Sequence, residues 1–332
     1  MAANEITIMA VHAHPDDEVV FTGGTLLLYH RAGVRTVLVI ATGGEEGEIH
    51  DPDLDPDEAR PRLREIRLGE LQRGVAFLEI DNMELLGYRD SGMAGTEANA
   101  NPANFHNADM ETATSQLVAL VRQYKPQIMI TYDENGSYGH PDHIKCNKIT
   151  VRAFDLSGDP TYAPELGEPW TPLKLYYTHW NEEGWTKAHE LYKERGLKWP
   201  WDREEEEKAP DADPEHQSVE EGVAEQVEAI VEEADSKPAE EEKAPEYVPP
   251  PVTTRIDVRS TLTEKQQSIL QHRTQFNPDG LFQTMPEDIR PLAFGEEHYS
   301  LVASRVPAPE QETTLLAGLV EEASALDEPA GF

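Results

Sequence analysis

The sequence predicts an α/β fold: a Rossmann-like, mostly parallel sheet flanked by helices, with a smaller C-terminal part and a disordered acidic insert. Short apolar segments typical of buried strands alternate with segments whose apolar residues have helical spacing. Polar loops follow several of the apolar segments, which is where parallel sheets bind ligands. A long acidic segment with few large apolar residues predicts the insert.

The elements of the sheet are predicted in order along the first 180 residues. Strands are expected at 6–11, 34–42, 83–86, 127–132 and 173–178. Helices are expected at 19–30, 63–78, 112–124 and 140–154. A further strand is expected at 252–258 and a further helix at 262–272. Because helices separate the early strands, these strands should run parallel.

Composition divides the 332-residue chain into parts. We predict a Rossmann-like catalytic domain at 1–180, a connector at 181–202, the acidic disordered insert at 203–251, a C-terminal part that completes the domain at 252–320, and a tail at 321–332. Between residues 203 and 250 there are 18 acidic and 4 basic residues, a net charge of −14. A segment this polar cannot form a core.

The net charge of −36 argues against binding to nucleic acid or to an anionic membrane, because both require a basic surface. The single Cys146 excludes an intrachain disulfide and suits a reducing compartment. No signal peptide and no apolar run long enough to span a membrane are recognised. We therefore expect a cytoplasmic protein that acts on a small molecule. The sequence leaves its oligomeric state open.

Two similar motifs stand out, each after a predicted strand. The first, residues 11–18, reads Val-His-Ala-His-Pro-Asp-Asp-Glu, and the second, residues 138–143, reads Tyr-Gly-His-Pro-Asp-His. Either motif alone fits an ordinary helix start, where proline and acidic residues are favourable. Two His/Asp motifs at the carboxyl ends of strands are harder to explain as capping. We therefore predict that they meet around one metal ion.

The expected metal ligands are His14, Asp17 and His143. His14 and Asp17 are three residues apart at a helix start, so their side chains can share a face. A His/Asp/His set with an open fourth position is typical of catalytic zinc, which lowers the pKa of a bound water to about 7. Iron(II) uses the same ligand types, so the motif predicts Zn²⁺ with Fe²⁺ as the alternative.

Four further residues are candidates for catalysis. Asp16 points away from Asp17 at helical spacing and is placed to be the general base. His140 is a candidate to stabilise the oxyanion or to protonate the leaving amine, with Asp142 holding its imidazole in one tautomer. The hydroxyl of Tyr138 is a candidate oxyanion donor.

At these residues the sequence resembles the LmbE-like (PIG-L) zinc deacetylases, and within them the mycothiol-pathway enzymes. These enzymes are the N-acetylglucosaminyl-inositol deacetylase and the mycothiol S-conjugate amidase. The resemblance covers about residues 5–180 and 252–320. Besides the two motifs, its main matches are the segments 44–48, 67–71, 89–96, 131–133, 297–299 and 315–319.

The resemblance implies the same roles for the seven residues named above. It also implies that Glu48, Arg67 and Asp90 contact the hydroxyls of a sugar and an inositol. One departure is Phe21, where the deacetylase has a small polar residue and the amidase a lysine; we expect Phe21 to narrow the pocket. The predicted function is zinc-dependent removal of the acetyl group from an N-acetylglucosaminide such as N-acetylglucosaminyl-inositol.

Two kinds of alternative remain open. One is the amidase, or another deacetylase of an N-acyl glucosamine. The other is a nucleotide-binding Rossmann module without catalysis. Against the second, the loop after the first strand lacks the Gly-x-Gly-x-x-Gly pattern, and its acidic residues would repel a pyrophosphate.

Overall fold

The computed structural model describes residues 1–199, 247–278 and 280–320. Nearly all of the predicted acidic insert and the whole of the predicted tail lie outside these residues. The predicted division of the chain into domains stays a prediction.

One seven-stranded sheet organises the described residues, in the order β3-β2-β1-β4-β5-β7-β6. The strands are β1 (Thr7–His12), β2 (Arg35–Thr42), β3 (Asn82–Tyr88), β4 (Ile128–Thr131), β5 (Lys174–His179), β6 (Thr254–Asp257) and β7 (Glu296–Ser304). The strands from β3 to β5 in this order are parallel, whereas β7 pairs antiparallel with both β5 and β6. The mostly parallel α/β sheet is therefore confirmed.

Helices cover both faces of this sheet. They are α1 (Asp17–Phe21), α2 (Gly23–Arg31), α3 (Pro56–Ala59), α4 (Leu63–Phe77), α5 (Met110–Tyr124), α6 (Gly136–Gly139), α7 (Pro141–Leu156), α8 (Glu182–Glu194), α9 (Leu262–Ile269), α10 (Leu281–Thr284) and α11 (Arg290–Phe294). Among them, α6 is a single turn that contains non-helical backbone angles. No helix within the described ranges is long and apolar enough to cross a membrane.

Strand β1 is buried on both faces, which explains its continuous apolar sequence. Met9 and Val11 pack into a core shared with α5 and α7. Ile8 and Ala10 pack on the opposite face, against α2 and the C-terminal Leu315. Side chains alternate between faces along a strand, so β1 holds two cores together.

The sheet brings the two motifs together. The strand order in the sheet reverses direction at β1: β2 and β3 lie on one side of it, and β4 and β5 lie on the other. Such a reversal opens a crevice at the carboxyl ends of the two strands concerned. The first motif follows β1 and the second follows β4, so both emerge at this crevice.

The strands and helices predicted over the first 180 residues are present with shifted ends. One predicted helix differs: residues 19–30 form two helices, α1 and α2, separated at Thr22. Six elements were missed, namely the short helices α3, α6, α10 and α11, the longer helix α8, and strand β7. Helix α8 lies in the segment predicted only as a connector, and β7 is inserted between β5 and β6. Neither shows a long run of apolar residues in the sequence.

Candidate active site

The first motif makes an abrupt turn between β1 and α1. Asp16 adopts a φ of 122° and a ψ of −31°, a region that residues with a Cβ rarely occupy. The backbone N–H of Asp16 donates to Glu18 Oε2 at 2.8 Å, and that of His14 donates to Asp17 Oδ2 at 2.7 Å. These four side chains are all buried. The turn is therefore held by its own carboxylates.

Three predicted ligands converge at the crevice. His14 Nδ1 lies 3.4 Å from Asp17 Oδ2, His143 Nε2 lies 3.4 Å from Asp17 Oδ1, and the two histidine nitrogens are 3.2 Å apart. Tetrahedral zinc has ligand atoms about 3.3 Å apart. The two histidines make these contacts with different oxygens of Asp17, so the three side chains surround one point, but the distances do not define three single ligand atoms.

The surroundings of the triad fit a cation. Burial acts to raise the pKa of Asp17, but the imidazoles of His143 and His14 outweigh burial and hold this pKa well below its usual value. His14 directs its other nitrogen, Nε2, to Asp142 Oδ2 at 3.3 Å, the carboxylate–histidine pair common behind metal ligands. His143 differs: its Nε2 faces the triad, and its other nitrogen, Nδ1, is buried without a hydrogen-bond partner among the described residues, so it lacks the supporting contact that His14 has.

Two sets of possible ligands among the described residues, with one atom from each residue, share His14. One joins His14 to His140 and His143, and another joins it to Asp90 and Asp142, with ligand atoms up to 4.8 Å apart. His140 is therefore a possible ligand beside the predicted triad, and the assignment of His14, Asp17 and His143 stays a prediction.

Asp16 is fully buried, and its two carboxylate oxygens differ. Oδ2 accepts a hydrogen bond from Arg67 Nη2 at 3.0 Å, whereas Oδ1 has no partner among the described residues. Burial raises the pKa of Asp16 to about 7, although the Arg67 guanidinium acts to lower it. A carboxylate with this pKa and one free oxygen can accept a proton near neutral pH. A divalent cation at the triad would shift this pKa downward.

The second motif presents His140 in a defined tautomer. His140 is the N-cap of α7, and its Nδ1 accepts the backbone N–H of Asp142 at 3.1 Å. A neutral ring in this arrangement carries its proton on Nε2. The carboxylate of Asp142, predicted to orient His140, instead contacts His14 and accepts hydrogen bonds from the backbone and hydroxyl of Ser91. The prediction is corrected in this detail: the main chain of Asp142 contacts His140.

Tyr138 lies on the turn that precedes His140. Its ring meets those of His143 and His140 edge-on, with centroid distances of 5.1 and 6.1 Å. Burial raises the pKa of Tyr138 well above its usual value, so its hydroxyl stays protonated. Tyr138 and His140 are thus two candidate hydrogen-bond donors on the same side of the triad.

A cavity of about 690 Å³ opens above these groups. Six of the predicted site residues line it, namely His14, Glu48, Arg67, Asp90, Tyr138 and His140. The other four, Asp16, Asp17, Asp142 and His143, are fully buried. The structure therefore brings all ten predicted residues to one place.

The three predicted sugar-binding residues are not equivalent. Glu48 is partly exposed at the rim and lies 3.1 Å from His50. Asp90 is buried and accepts the backbone N–H groups of Gly92 and Glu46. Arg67 is also buried, and besides Asp16 it binds the carbonyl oxygens of Pro15 and Gly44. Arg67 therefore supports the first motif as well as lining the cavity.

The structure corrects one expectation about the pocket. Phe21 does not line the cavity; it packs in the core against His12, Tyr132 and Trp180. His12 is a buried neighbour of the site, bonded to Thr22 Oγ1 at 2.9 Å. Cys146 is a buried thiol.

Sequence reasoning missed several neighbours of the site. Tyr132 stacks on His143 at 4.0 Å, and its hydroxyl accepts the backbone N–H of Ala13. Its position at the carboxyl end of a predicted strand could have suggested this role. Gln275 lines the cavity and His272 binds Glu18, but no local pattern distinguishes either residue.

Comparison with known proteins identifies a matching family and several relatives of this chain. The family described as "PIG-L: GlcNAc-PI de-N-acetylase" matches residues 9–154. The 1D-myo-inositol 2-acetamido-2-deoxy-alpha-D-glucopyranoside deacetylase 1 of Frankia alni is 37% identical over 322 residues, covering 93% of this chain and 100% of that protein. The deacetylase of the same name, without a number, from Geodermatophilus obscurus is 34% identical over 319 residues, covering 94% and 97%.

Among solved structures, the chain is similar to N,N'-diacetylchitobiose deacetylase from Pyrococcus horikoshii. The TM-score is 0.53 at 16% sequence identity, covering 89% of this chain and 83% of that one. At this identity the likeness concerns the fold.

Proposed function

Because the chain belongs to the PIG-L family of deacetylases, we propose that it removes the acetyl group from an N-acetylglucosaminide in a metal-dependent reaction. The proposed substrate is the glucosaminide of myo-inositol that appears in the names of its relatives. The observation that carries the proposal is the meeting of His14, Asp17 and His143 around one point, with the unpaired oxygen of Asp16 buried in the first motif.

The proposed metal is Zn²⁺, held by the triad with one position open to the cavity. A zinc ion bound there would polarise the acetyl carbonyl and make a water molecule more acidic. Two observations support zinc: the three side chains meet around one point, and they are two imidazoles and a carboxylate. Fe²⁺ accepts the same ligand types, and metal analysis of the purified protein distinguishes the two.

In the proposed mechanism, Asp16 Oδ1 takes a proton from water as the water oxygen bonds to the acetyl carbon. The hydroxyl of Tyr138 and the Nε2–H of His140 donate to the carbonyl oxygen, where negative charge develops. The bond from carbon to nitrogen then breaks, and the proton passes from Asp16 to the leaving amine. The carboxyl proton of the acetic acid then also passes to the amine, so the products are acetate and the glucosaminide with a protonated amino group, and atoms and charge balance.

The proposed substrate contacts follow from the cavity. Glu48 and Asp90 offer carboxylate oxygens to sugar or inositol hydroxyls, and Arg67 faces the same space. Charged groups fixed on a cavity wall suit a polyol, which presents hydroxyls in several directions. The C-terminal Gln275 adds an amide to this wall.

The test is release of free amine by the purified chain, with acetate measured alongside. The protein is stripped of metal, reloaded with one equivalent of Zn²⁺, and given N-acetylglucosaminyl-inositol, N-acetylglucosamine, diacetylchitobiose and a cysteinyl thiol conjugate of glucosaminyl-inositol. We expect the glucosaminyl-inositol to give the highest kcat/KM. The substrate assignment is overturned if another member of the panel is preferred. The whole proposal fails if the zinc-loaded protein hydrolyses none of them.

A further inference from the structure

The backbone of Asp16 has an unfavourable conformation that contacts with other residues must stabilise. The φ of 122° costs free energy for any residue with a Cβ, so it persists only where neighbouring groups enforce it. Asp16 stands at the N-cap of α1, yet its side chain makes no capping hydrogen bond. The carboxylate is bound by Arg67 instead, and a different group must hold the main chain.

That group is Glu18, whose side chain turns back toward the motif. Glu18 Oε2 accepts the backbone N–H of Asp16 at 2.8 Å, and Glu18 Oε1 lies 2.9 Å from His272 Nε2. Both Glu18 and His272 are fully buried. Neither lines the cavity, so neither is placed to touch a substrate there.

His272 is fixed by the segment that carries it, residues 272–275. Arg273 forms ion pairs with Asp51 and Asp53, and Thr274 binds the carboxylate of Glu70 through its backbone and hydroxyl. Gln275 Nε2 donates to the backbone oxygen of Glu48. Each side chain of this C-terminal segment therefore contacts the N-terminal half of the chain.

Helix α4 also leaves room for His272. A Cβ added at Gly74 would lie 2.9 Å from His272 Nε2 and 3.1 Å from Ser268 Oγ. Glycine at this position lets the imidazole approach the helix closely enough to reach Glu18. A Cβ at Gly69 on the same helix would meet only Arg73 Nη1, at 3.5 Å.

We propose that Glu18 and His272 are positioning residues: they form a strut that holds the main chain of Asp16 so that its free oxygen faces the reacting water. The inference rests on the proposed function, because it assigns these residues to the catalytic base of that reaction. Arg67 fixes one oxygen of Asp16, and the strut fixes the backbone from the other side. The base is thus preorganised by a residue 254 positions away from Glu18 in sequence.

The first experiment replaces His272 in the zinc-loaded, full-length protein. We expect His272→Leu to lower kcat by about 10–100-fold, the usual loss when a supporting partner is removed, with KM and zinc content unchanged. His272→Gln places an amide donor near the position of Nε2 and should recover most of kcat. Equal losses in both variants, or a change confined to KM, would overturn the proposal.

The second experiment moves His272 without altering a polar group. Gly74→Ala should lower kcat in the same way as His272→Leu, whereas the control Gly69→Ala should keep wild-type kcat. If Gly74→Ala also keeps wild-type kcat, the clearance at Gly74 does not position His272 and the strut is refuted.

Hydrogen exchange separates failure of the strut from failure of the proposed function. In the wild type, the peptide covering residues 11–20 should exchange its Asp16 amide slowly, and in His272→Leu this exchange should become faster. Unchanged exchange would overturn the strut even if the wild type releases acetate. If the wild type releases no acetate but exchange accelerates, the proposed function fails and the structural link stands.

Discussion

The two motifs that meet at the crevice are built differently. In the first, Asp16 is bonded through its main chain to Glu18 and through its carboxylate to Arg67. In the second, the turn before His140 has positive φ values at Gly136, Ser137 and Gly139. The ring of Tyr138 on this turn meets its described aromatic neighbours only by edge contacts.

The rigid first motif and the glycine-rich turn of the second suit two different tasks. A metal ligand set and a general base must keep their geometry, which buried and mutually bonded carboxylates provide. The groups that meet a substrate must adjust to it, and a turn rich in glycine can do so. We therefore expect changes at the proposed ligands, including His143 at the end of the second motif, to affect metal content and kcat, and a change at Tyr138 itself to affect only the chemical step.

The largest effect should follow from His143→Ala, which removes one ligand of the triad. We expect loss of stoichiometric zinc and a fall of about 10⁴-fold in acetate release, because the metal supplies several kcal/mol of stabilisation in the transition state. Metal analysis and single-turnover kinetics measure this. His30→Ala, on the exposed end of α2, is the control and should keep both. Full zinc occupancy in His143→Ala would remove His143 from the ligand set.

The next largest effect should follow from Asp16→Asn. The amide keeps the shape of the side chain but cannot take a proton, so kcat should fall by about 10³-fold with zinc still bound. Asp155→Asn, at an exposed ion pair with Arg305, is the matched control. Unaltered kcat in Asp16→Asn would end the assignment of Asp16 as the base.

Tyr138→Phe tests the contribution of one hydroxyl of the second motif to the chemical step. Removing one donor to a developing oxyanion should lower kcat by about 10²-fold, while zinc content and KM stay close to those of the wild type. Tyr192→Phe in α8, remote from the cavity, controls for loss of a buried phenol. If Tyr138→Phe reduces zinc content instead, the proposed division between the motifs is wrong.

The smallest effect is expected from Asp142→Asn, which tests whether the division between the two motifs follows sequence or contacts. Asp142 belongs to the second motif in sequence, but its carboxylate contacts the metal ligand His14. We expect zinc affinity to weaken by about 10-fold, measured by competition with a chelator. Asp109→Asn, which changes the N-cap of the neighbouring helix α5, should leave zinc affinity unaltered. If Asp142→Asn leaves zinc affinity unaltered but lowers kcat, then Asp142 acts through His140, as the sequence predicted.

The local chemistry of the site could be predicted because strand, turn and ligand types are adjacent in sequence. The resemblance to LmbE-like deacetylases is confirmed by the family match and the relatives. The positive φ of Asp16 could not be predicted, since nothing in Pro15-Asp16-Asp17 requires it. The contact between Glu18 and His272 depends on how distant segments pack, and β7 carries too few apolar residues to be recognised.

The long span between Glu18 and His272 also has a consequence during synthesis. Both motifs have been made once residue 143 is added, but the proposed strut must wait for His272. At about 5–20 residues per second, the ribosome adds the intervening 129 residues in roughly 6–26 seconds. On the proposed assignment, a nascent chain carries all three proposed ligands well before the proposed base is held in place, and we expect competence for hydrolysis only after His272 has been added.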